Sequence, residues 1–201
     1  MQYFNSLPKV VYTDENNTRT LYTNLMARAS AKPSTLNSAL VFYEYDIQDE
    51  DTPEIVAHKY YGDVNRFWIL LYCNQINDPL WDWPLSGRKF EKYISNKYSG
   101  QNTPESTHHY EIIKETKNSL FPNETQTERI VCSQQEYDEA SFGETMSVTI
   151  GLETITVYKT KKVVTNYEHE YEMNENKRKI KILNKEYASQ FEKEFVNLMK
   201  N

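Results

Sequence analysis

The chain has 201 residues, 29 acidic against 23 basic side chains, and a formal net charge of −6 at neutral pH. An acidic balance excludes a nucleic-acid role driven by phosphate neutralisation, and five glycines with neither GxxxxGK(S/T) nor GxGxxG exclude a glycine-rich phosphate cradle. The length allows one substantial domain or a small module with extensions, and no uncharged apolar span of about 18 residues is present to cross a membrane.

Residues 1–42 read as an extended arm. Leu7-Pro8 and the polar run from Asp14 to Thr20 argue against regular structure at the start, while Leu21-Tyr22 and Leu25-Met26 suggest a short amphipathic helix ending before Lys32-Pro33-Ser34. Such an arm cannot bury a core alone and is expected to order against the body or a partner. The N-terminal residues contain no apolar core of a secretory leader, so synthesis and assembly in the cytosol are expected.

Tyr43, Tyr45 and Ile47 alternate with Glu44, Asp46 and Gln48, the period of a strand with one buried face. Thr52-Pro53-Glu54 then signals a helix start. Threonine caps free amides, proline suits the first position because its missing N–H is not needed there, and glutamate favours the positive end of the dipole. Gly62 is the stop, since glycine takes positive φ without steric cost. A second helix is expected after Asp63, with Val64, Trp68 and Leu71 on one face. The apolar run Phe67–Cys73 fits a buried strand or a buried helix by period, and the Asp63 cap with the polar Asn74-Gln75 exit favours the helix. Trp81 and Trp83 flank Asp82; in a strand they would share a face, closing the core or forming an exposed platform.

Ser86 is a candidate cap for a third helix carrying Phe90, Tyr93, Ile94 and Lys97, and Ser99–Pro104 is the best linker in the chain. Beyond it, Tyr110, Ile112, Ile130 and Val131 mark strands separated by a Pro122-Asn123 turn. Val148/Ile150 and Ile155/Val157 flank a hairpin turn at Gly151-Leu152-Glu153. From Lys162 to Met173, Tyr167, His169, Tyr171 and Met173 alternate with glutamates as in a strand, with a helix open for the glutamate-rich part. Ile180 and Ile182, spaced by lysines, form a plausible edge strand. A C-terminal amphipathic helix starts near Asn184, with Tyr187, Phe191, Phe195 and Leu198 on its docking face.

No catalytic, metal or cofactor site is expected. His108 and His109 adjoin Glu111, but neighbouring strand residues point to opposite faces and would not share an ion. His169 lacks a pocket and an orienting partner for base catalysis. Cys73 and Cys132 show no framework spacing and read as two free thiols, Cys73 as a small hydrophobe in an apolar run. The 16 tyrosines are a surplus that favours contact surfaces, since tyrosine offers large area with few rotatable bonds.

Tyr45-x-Ile47, Asp51-Thr52 with Ile55 and Ala57, Tyr61-Gly62, Leu70 and Asn74-x-Ile76-Asn77 together resemble the LysM pattern, a βααβ fold whose usual habit is binding N-acetylglucosamine polymers. The usual closing strand is missing after Asn77, and Asp78–Leu85 stands in its place. Tyr60-Tyr61-Gly62, Phe67–Leu71, Asn74, Asp78-Pro79 and Asp82-Trp83-Pro84 more narrowly resemble the LysM-containing baseplate wedge subunit of contractile-tailed phages. Tyr3-Phe4 with Leu7-Pro8 and Lys177–Leu183 with the helix after it extend that resemblance to both ends.

The resemblance implies an α+β protein with a LysM-like βααβ module, an N-terminal arm, and a C-terminal strand and hairpin region ending in an amphipathic helix. Its divisions are expected at 1–42, 43–99 and 105–201. The implied role is structural: joining or stabilising neighbouring wedges around the tail hub, in the virion after assembly in the host cytoplasm, with no enzymatic activity. Partners implied are other wedge proteins including a helical-bundle wedge core, with sheath-initiator or hub proteins as further candidates, and neither nucleic acid nor membrane. The alternative is a peptidoglycan or N-acetylglucosamine-binding module of a cell-wall protein. The expected module core is Tyr45, Ile47, Ile55, Gly62, Trp68, Leu71 and Trp83. The candidate partner surface is Tyr60, Tyr61, Trp81, Tyr187, Phe191, Phe195 and Leu198.

Overall fold

A computed structural model describes residues 3–27, 41–100 and 102–200. In chain order the elements are a 3-10 turn Tyr3–Ser6, β1 Lys9–Thr13, β2 Arg19–Thr23, β3 Phe42–Asp46, α1 Pro53–Tyr61, a 3-10 turn Val64–Arg66 and α2 Phe67–Cys73. There follow α3 Gly87–Lys97, β4 Thr107–Asn118, β5 Phe121–Cys132, α4 Gln134–Glu139, β6 Gly143–Ile150, β7 Glu153–Thr165, α5 Asn166–Asn176, β8 Lys179–Leu183 and α6 Lys185–Lys200. The architecture is mixed α+β with antiparallel sheets. The chain forms two compact units, Met1–Gly87 with Asn174–Asn201, and Arg88–Met173.

In the first unit, α1 begins and ends where its local chemistry requires. The Thr52 hydroxyl accepts from the Ile55 amide at 3.4 Å, Pro53 opens the helix, and Gly62 stops it at φ 71°. Asp63 caps the next turn by accepting from the Asn65 amide at 2.9 Å. The run Phe67–Cys73 is helical, and its all-round apolarity has a packing cause. Trp68, Ile69 and Cys73 enter one buried cluster with Leu7, Leu183, Ala188, Phe195 and Met199. Leu70 enters a second with Ile47, Val56, Ala57, Trp83, Ile180 and Ile182. A short helix lying between two clusters has no solvent face to make polar.

The strand that pairs with β3 arrives late. β8 runs antiparallel to β3, with Phe42 opposite Leu183 and Asp46 opposite Lys179. The first unit therefore reads strand, helix, helix, strand, with residues 88–173 inserted before the last strand. No strand follows Asn77 directly, as expected; the segment that pairs with β3 is KIKIL at 179–183. Asn74 completes the join like a short strand, donating to Lys181 O and accepting from the Lys181 amide, both at 2.8 Å. Asn174 does the same where the chain leaves and returns, bonding Leu85 N at 2.7 Å and Leu85 O at 3.1 Å.

The arm is not helical at Leu21-Tyr22. Residues 9–23 form a hairpin, Val11 opposite Leu21, turned by the Asp14 carboxylate accepting from the amides of Asn16 (3.0 Å) and Thr18 (2.7 Å). Its β-branched and tyrosine content outweighs the weak helical spacing. The end expected for that helix, before Lys32-Pro33-Ser34, lies outside the described residues.

The second unit is a four-stranded antiparallel sheet in the order β5-β4-β7-β6, with α3 and α5. Phe90 and Ile94 on α3 are buried, and Phe90 meets Tyr167 and Tyr171 edge-on at 5.7 and 6.0 Å. The β4–β5 turn falls at Asn118–Phe121, not at Pro122-Asn123. Proline sits in β5 at an irregularity of register on an edge strand, where a missing N–H is tolerated. The expected linker is tied down: Asn166 Nδ2 donates to Asn102 Oδ1 and Thr103 O, both at 2.8 Å, and the Tyr167 amide donates to Pro104 O at 2.9 Å. The division between units falls at residues 87/88 and 173/174 instead of at that segment.

The alternating stretch 167–173 is helical, not extended. Thr165 and Glu168 form a reciprocal cap, Glu168 accepting from the Thr165 amide at 3.0 Å and Thr165 Oγ1 accepting from the Glu168 amide at 3.2 Å. Threonine followed three residues later by glutamate is the sequence mark of that motif.

Candidate functional site

The first unit is organised around Asp51. Its carboxylate accepts from Tyr45 Oη (2.8 Å), the Gln48 amide (3.1 Å) and Lys59 Nζ, and its carbonyl accepts from Trp83 Nε1 at 2.8 Å. Burial alone would raise this carboxyl, but the hydrogen bonds from Lys59, Tyr45 and Gln48 outweigh it and hold it below the usual range. Burial, with the adjacent Asp51, pushes the Tyr45 hydroxyl up to about 12. In the sequence Asp51 stood out only beside Thr52 in the LysM-like pattern, and its role as a hub was missed. Its signal was a carboxylate two residues before Pro53, between two aromatic stretches.

Of the expected module core, Ile47, Trp68 and Trp83 are buried, Tyr45 and Leu71 are half-buried, and Gly62 is the α1 stop. Ile55 is 42 % exposed, because it lies on the outer face of α1 while Val56 and Ala57 face inward. Trp81 and Trp83 do not share a face. The 78–82 segment is a turn, with Trp81 N and Asp82 N both bonded to Asp78 O, so Trp81 is 65 % exposed and Trp83 only 6 %.

Half of the partner surface expected on the C-terminal helix, Phe191 and Phe195, is consumed within the chain. Phe195 is 2 % exposed, with its ring 4.8 Å from Trp68 and 5.7 Å from Tyr72, and Phe191 stacks on Trp68 at 5.9 Å. Arg66 fixes the helix by a two-pronged pair to Glu192 at 3.0 and 3.4 Å. Tyr61 is likewise internal, donating to Leu183 O at 2.9 Å, and Tyr60 is half-buried against it. Trp81, Tyr187 and Leu198 remain exposed.

Larger apolar surfaces lie outside the residues expected for partner contact. Val10, Tyr12 and Tyr22 on one face of the β1–β2 hairpin and Val11 and Leu21 on the other are all exposed. In the second unit the two hairpin tips lie at one end of the sheet, joined by Ser119 N to Thr154 O at 2.9 Å, and expose Leu120, Phe121, Ile150 and Leu152.

The second unit also gathers His108, His109 and His169, one ring nitrogen of each lying within 4.8 Å of the others. The expectation that His108 and His109 face apart is corrected by a bulge: Thr107 pairs with Thr165 but His109 already pairs with Val164. The extra residue breaks the alternation that would have separated the rings. His108 is held below the usual histidine range by lost hydration and then by the neighbouring His169 and His109. Beside them Glu170 accepts from Lys97, Tyr98 and Tyr93 at 2.6, 2.8 and 3.0 Å; burial works against that charge and those bonds hold the carboxyl down. Both cysteines are free, and burial pushes the Cys73 thiol up to about 12, which leaves it unreactive.

Exposed apolar surface of this kind is a common mark of a contact site. The family described as Base plate wedge protein 53 matches residues 17–198, and the chain belongs to it. It is a structural component of the phage tail baseplate, associated there with other baseplate proteins. No curated protein matches the chain. No helix among the described residues is long and apolar enough to cross a membrane.

Proposed function

We propose that this subunit joins neighbouring baseplate wedges through protein–protein contacts, and that the β1–β2 hairpin is a principal contact. The observation carrying this reading is a two-stranded hairpin with apolar side chains exposed on both faces and, among the described residues, no third strand. An isolated hairpin is marginal in water, so a partner that covers it stabilises it and gains apolar burial. The occupants favoured by the family are other wedge proteins, a helical-bundle wedge core among them. Assembly takes place in the host cytoplasm and the role requires no catalysis.

The first unit is read as a LysM-like βααβ fold whose closing strand is β8. The order of β3, α1, α2 and β8, and the Asn74 bridge to β8, support this reading. In this subunit the fold serves as a scaffold for contacts.

The test is co-expression of the full chain with the other wedge components, followed by size-exclusion chromatography. Co-elution of the wild type is expected, together with its loss in the double variant Val11→Lys, Leu21→Glu, whose opposite charges face each other across the ladder. Because both side chains are exposed, each change is expected to alter stability by less than about 0.5 kcal/mol. Full co-elution of that variant, with an unchanged melt, would remove the hairpin from the interface.

A further inference from the structure

We propose that His108, His109 and His169 form a binding site for a divalent transition-metal ion of the zinc type. Three imidazoles are the donor set that such ions prefer over magnesium or calcium, which take oxygen ligands. The three rings come from separate parts of the second unit: two from the bulged start of β4 and one from the first turn of α5.

The cluster has a supporting group. His109 Nε2 lies 3.1 Å from Glu111 Oε1, and Glu111 is only 7 % exposed, with Oε2 buried and lacking any hydrogen-bond partner. A buried carboxylate beside an imidazole orients the ring and fixes its tautomer, the arrangement that metal-ligating histidines use. Nε2–H of His109 donates to Glu111, which leaves its Nδ1 as a lone pair. That Nδ1 is 2.8 Å from His108 Nδ1, so His108 donates the proton between them. A cation replaces this shared proton: His108 moves its proton to Nε2 and presents Nδ1, and neither ring changes charge.

The third ring is already close. His169 stacks on His108 with centroids 3.9 Å apart and planes inclined by 9°. Ligand nitrogens around a tetrahedral ion stand about 3.3 Å apart, given metal–nitrogen bonds of about 2.0–2.1 Å. Closing the spread of up to 4.8 Å requires the His108 and His169 rings to turn out of their stacked arrangement. His108 is exposed, so ions reach the site from solvent and one position is left to water.

The experiment is titration of the untagged full chain with cobalt(II) chloride, followed by visible ligand-field absorption, and then displacement by zinc chloride. One equivalent of cobalt should develop the bands and zinc should remove them. His108→Ala and His169→Ala should each weaken binding at least ten-fold, and Glu111→Gln by about 10–100-fold. His58→Ala, which alters the remaining histidine, should bind as the wild type does. Circular dichroism of each variant separates lost binding from lost fold, and His108 is exposed enough that its removal leaves the unit folded. Absence of bands in the wild type, or undiminished binding by folded His108→Ala and His169→Ala variants, would overturn the site.

Discussion

The two units are held together by different means. The first buries two apolar clusters around α2 and needs only two short strands, β3 and β8, to close them. The second has long hydrogen-bonded strands but little apolar interior; among its described residues Phe90, Ile94, Tyr98 and Val164 are the buried apolar side chains. Backbone ladders and a polar cluster around Glu170 do much of the work there, and the sheet exposes an apolar tip, with Leu152 93 % exposed. The lesson is that a well-filled core does not decide how much apolar surface stays exposed: both units carry some, the first at its β1–β2 hairpin and the second at its sheet tip.

That contrast can be broken by removing core volume. Phe195→Ala should cost the first unit about 3–5 kcal/mol, because the ring fills the space between Trp68 and Tyr72 and the helix cannot collapse onto it. All three tryptophans lie in the first unit, so denaturation followed by their fluorescence reports it selectively, while far-ultraviolet circular dichroism follows both units. A fluorescence shift accompanied by a two-phase dichroism curve would establish separate stabilities; equal shifts by both probes would show that the units unfold as one.

A smaller effect tests the polar hub. Asp51→Asn should cost roughly 1–3 kcal/mol at neutral pH, since a neutral amide cannot satisfy Tyr45, Gln48 and Lys59 together. The Asp51 carboxyl is lowered in the folded protein, so its contribution is fully present above the unfolded value of about 3.9. It is lost as pH falls through the lower folded value. The variant should therefore lose less stability than the wild type on acidification below about pH 4. Parallel acid limbs in the two proteins would count against Asp51 as the hub.

The smallest change concerns the second unit. Thr165→Ala removes one half of the cap that turns the chain from β7 into α5 and should cost about 1 kcal/mol. A thermal melt by circular dichroism measures it. A loss seen in tryptophan fluorescence as well would again argue that the units share one transition.

Local chemistry made much of the first unit legible. The Thr52-Pro53 start and the Gly62 stop are each decided by a few neighbouring residues, and the structure has both; of the alternating residues, Tyr45 and Ile47 turn inward, while Tyr43 is 55 % exposed and β3 ends at Asp46. The cap at Thr165 was equally legible, but the glutamate alternation after it spoke for a strand. The α5 sequence has only a weak apolar face, so periodicity could not arbitrate. Of the site, Trp83 was assigned to the core and Trp81 to the surface, in keeping with their 6 % and 65 % exposure, while Asp51 entered only beside Thr52 in the LysM-like pattern and its role as a hub was not legible.

What the chain determined by itself is therefore the set of elements whose ends are written in caps, turns and alternation, and an acidic, tyrosine-rich composition suited to assembly. Tertiary structure alone decided which strand closes β3, because β8 lies beyond a whole inserted unit and strand pairing carries no mark of sequence distance. It also decided that Phe195 serves the core, because the fate of an amphipathic face depends on what meets it. And it decided that three histidines converge, since one bulged residue in β4 reversed the direction that strand geometry assigns to a side chain.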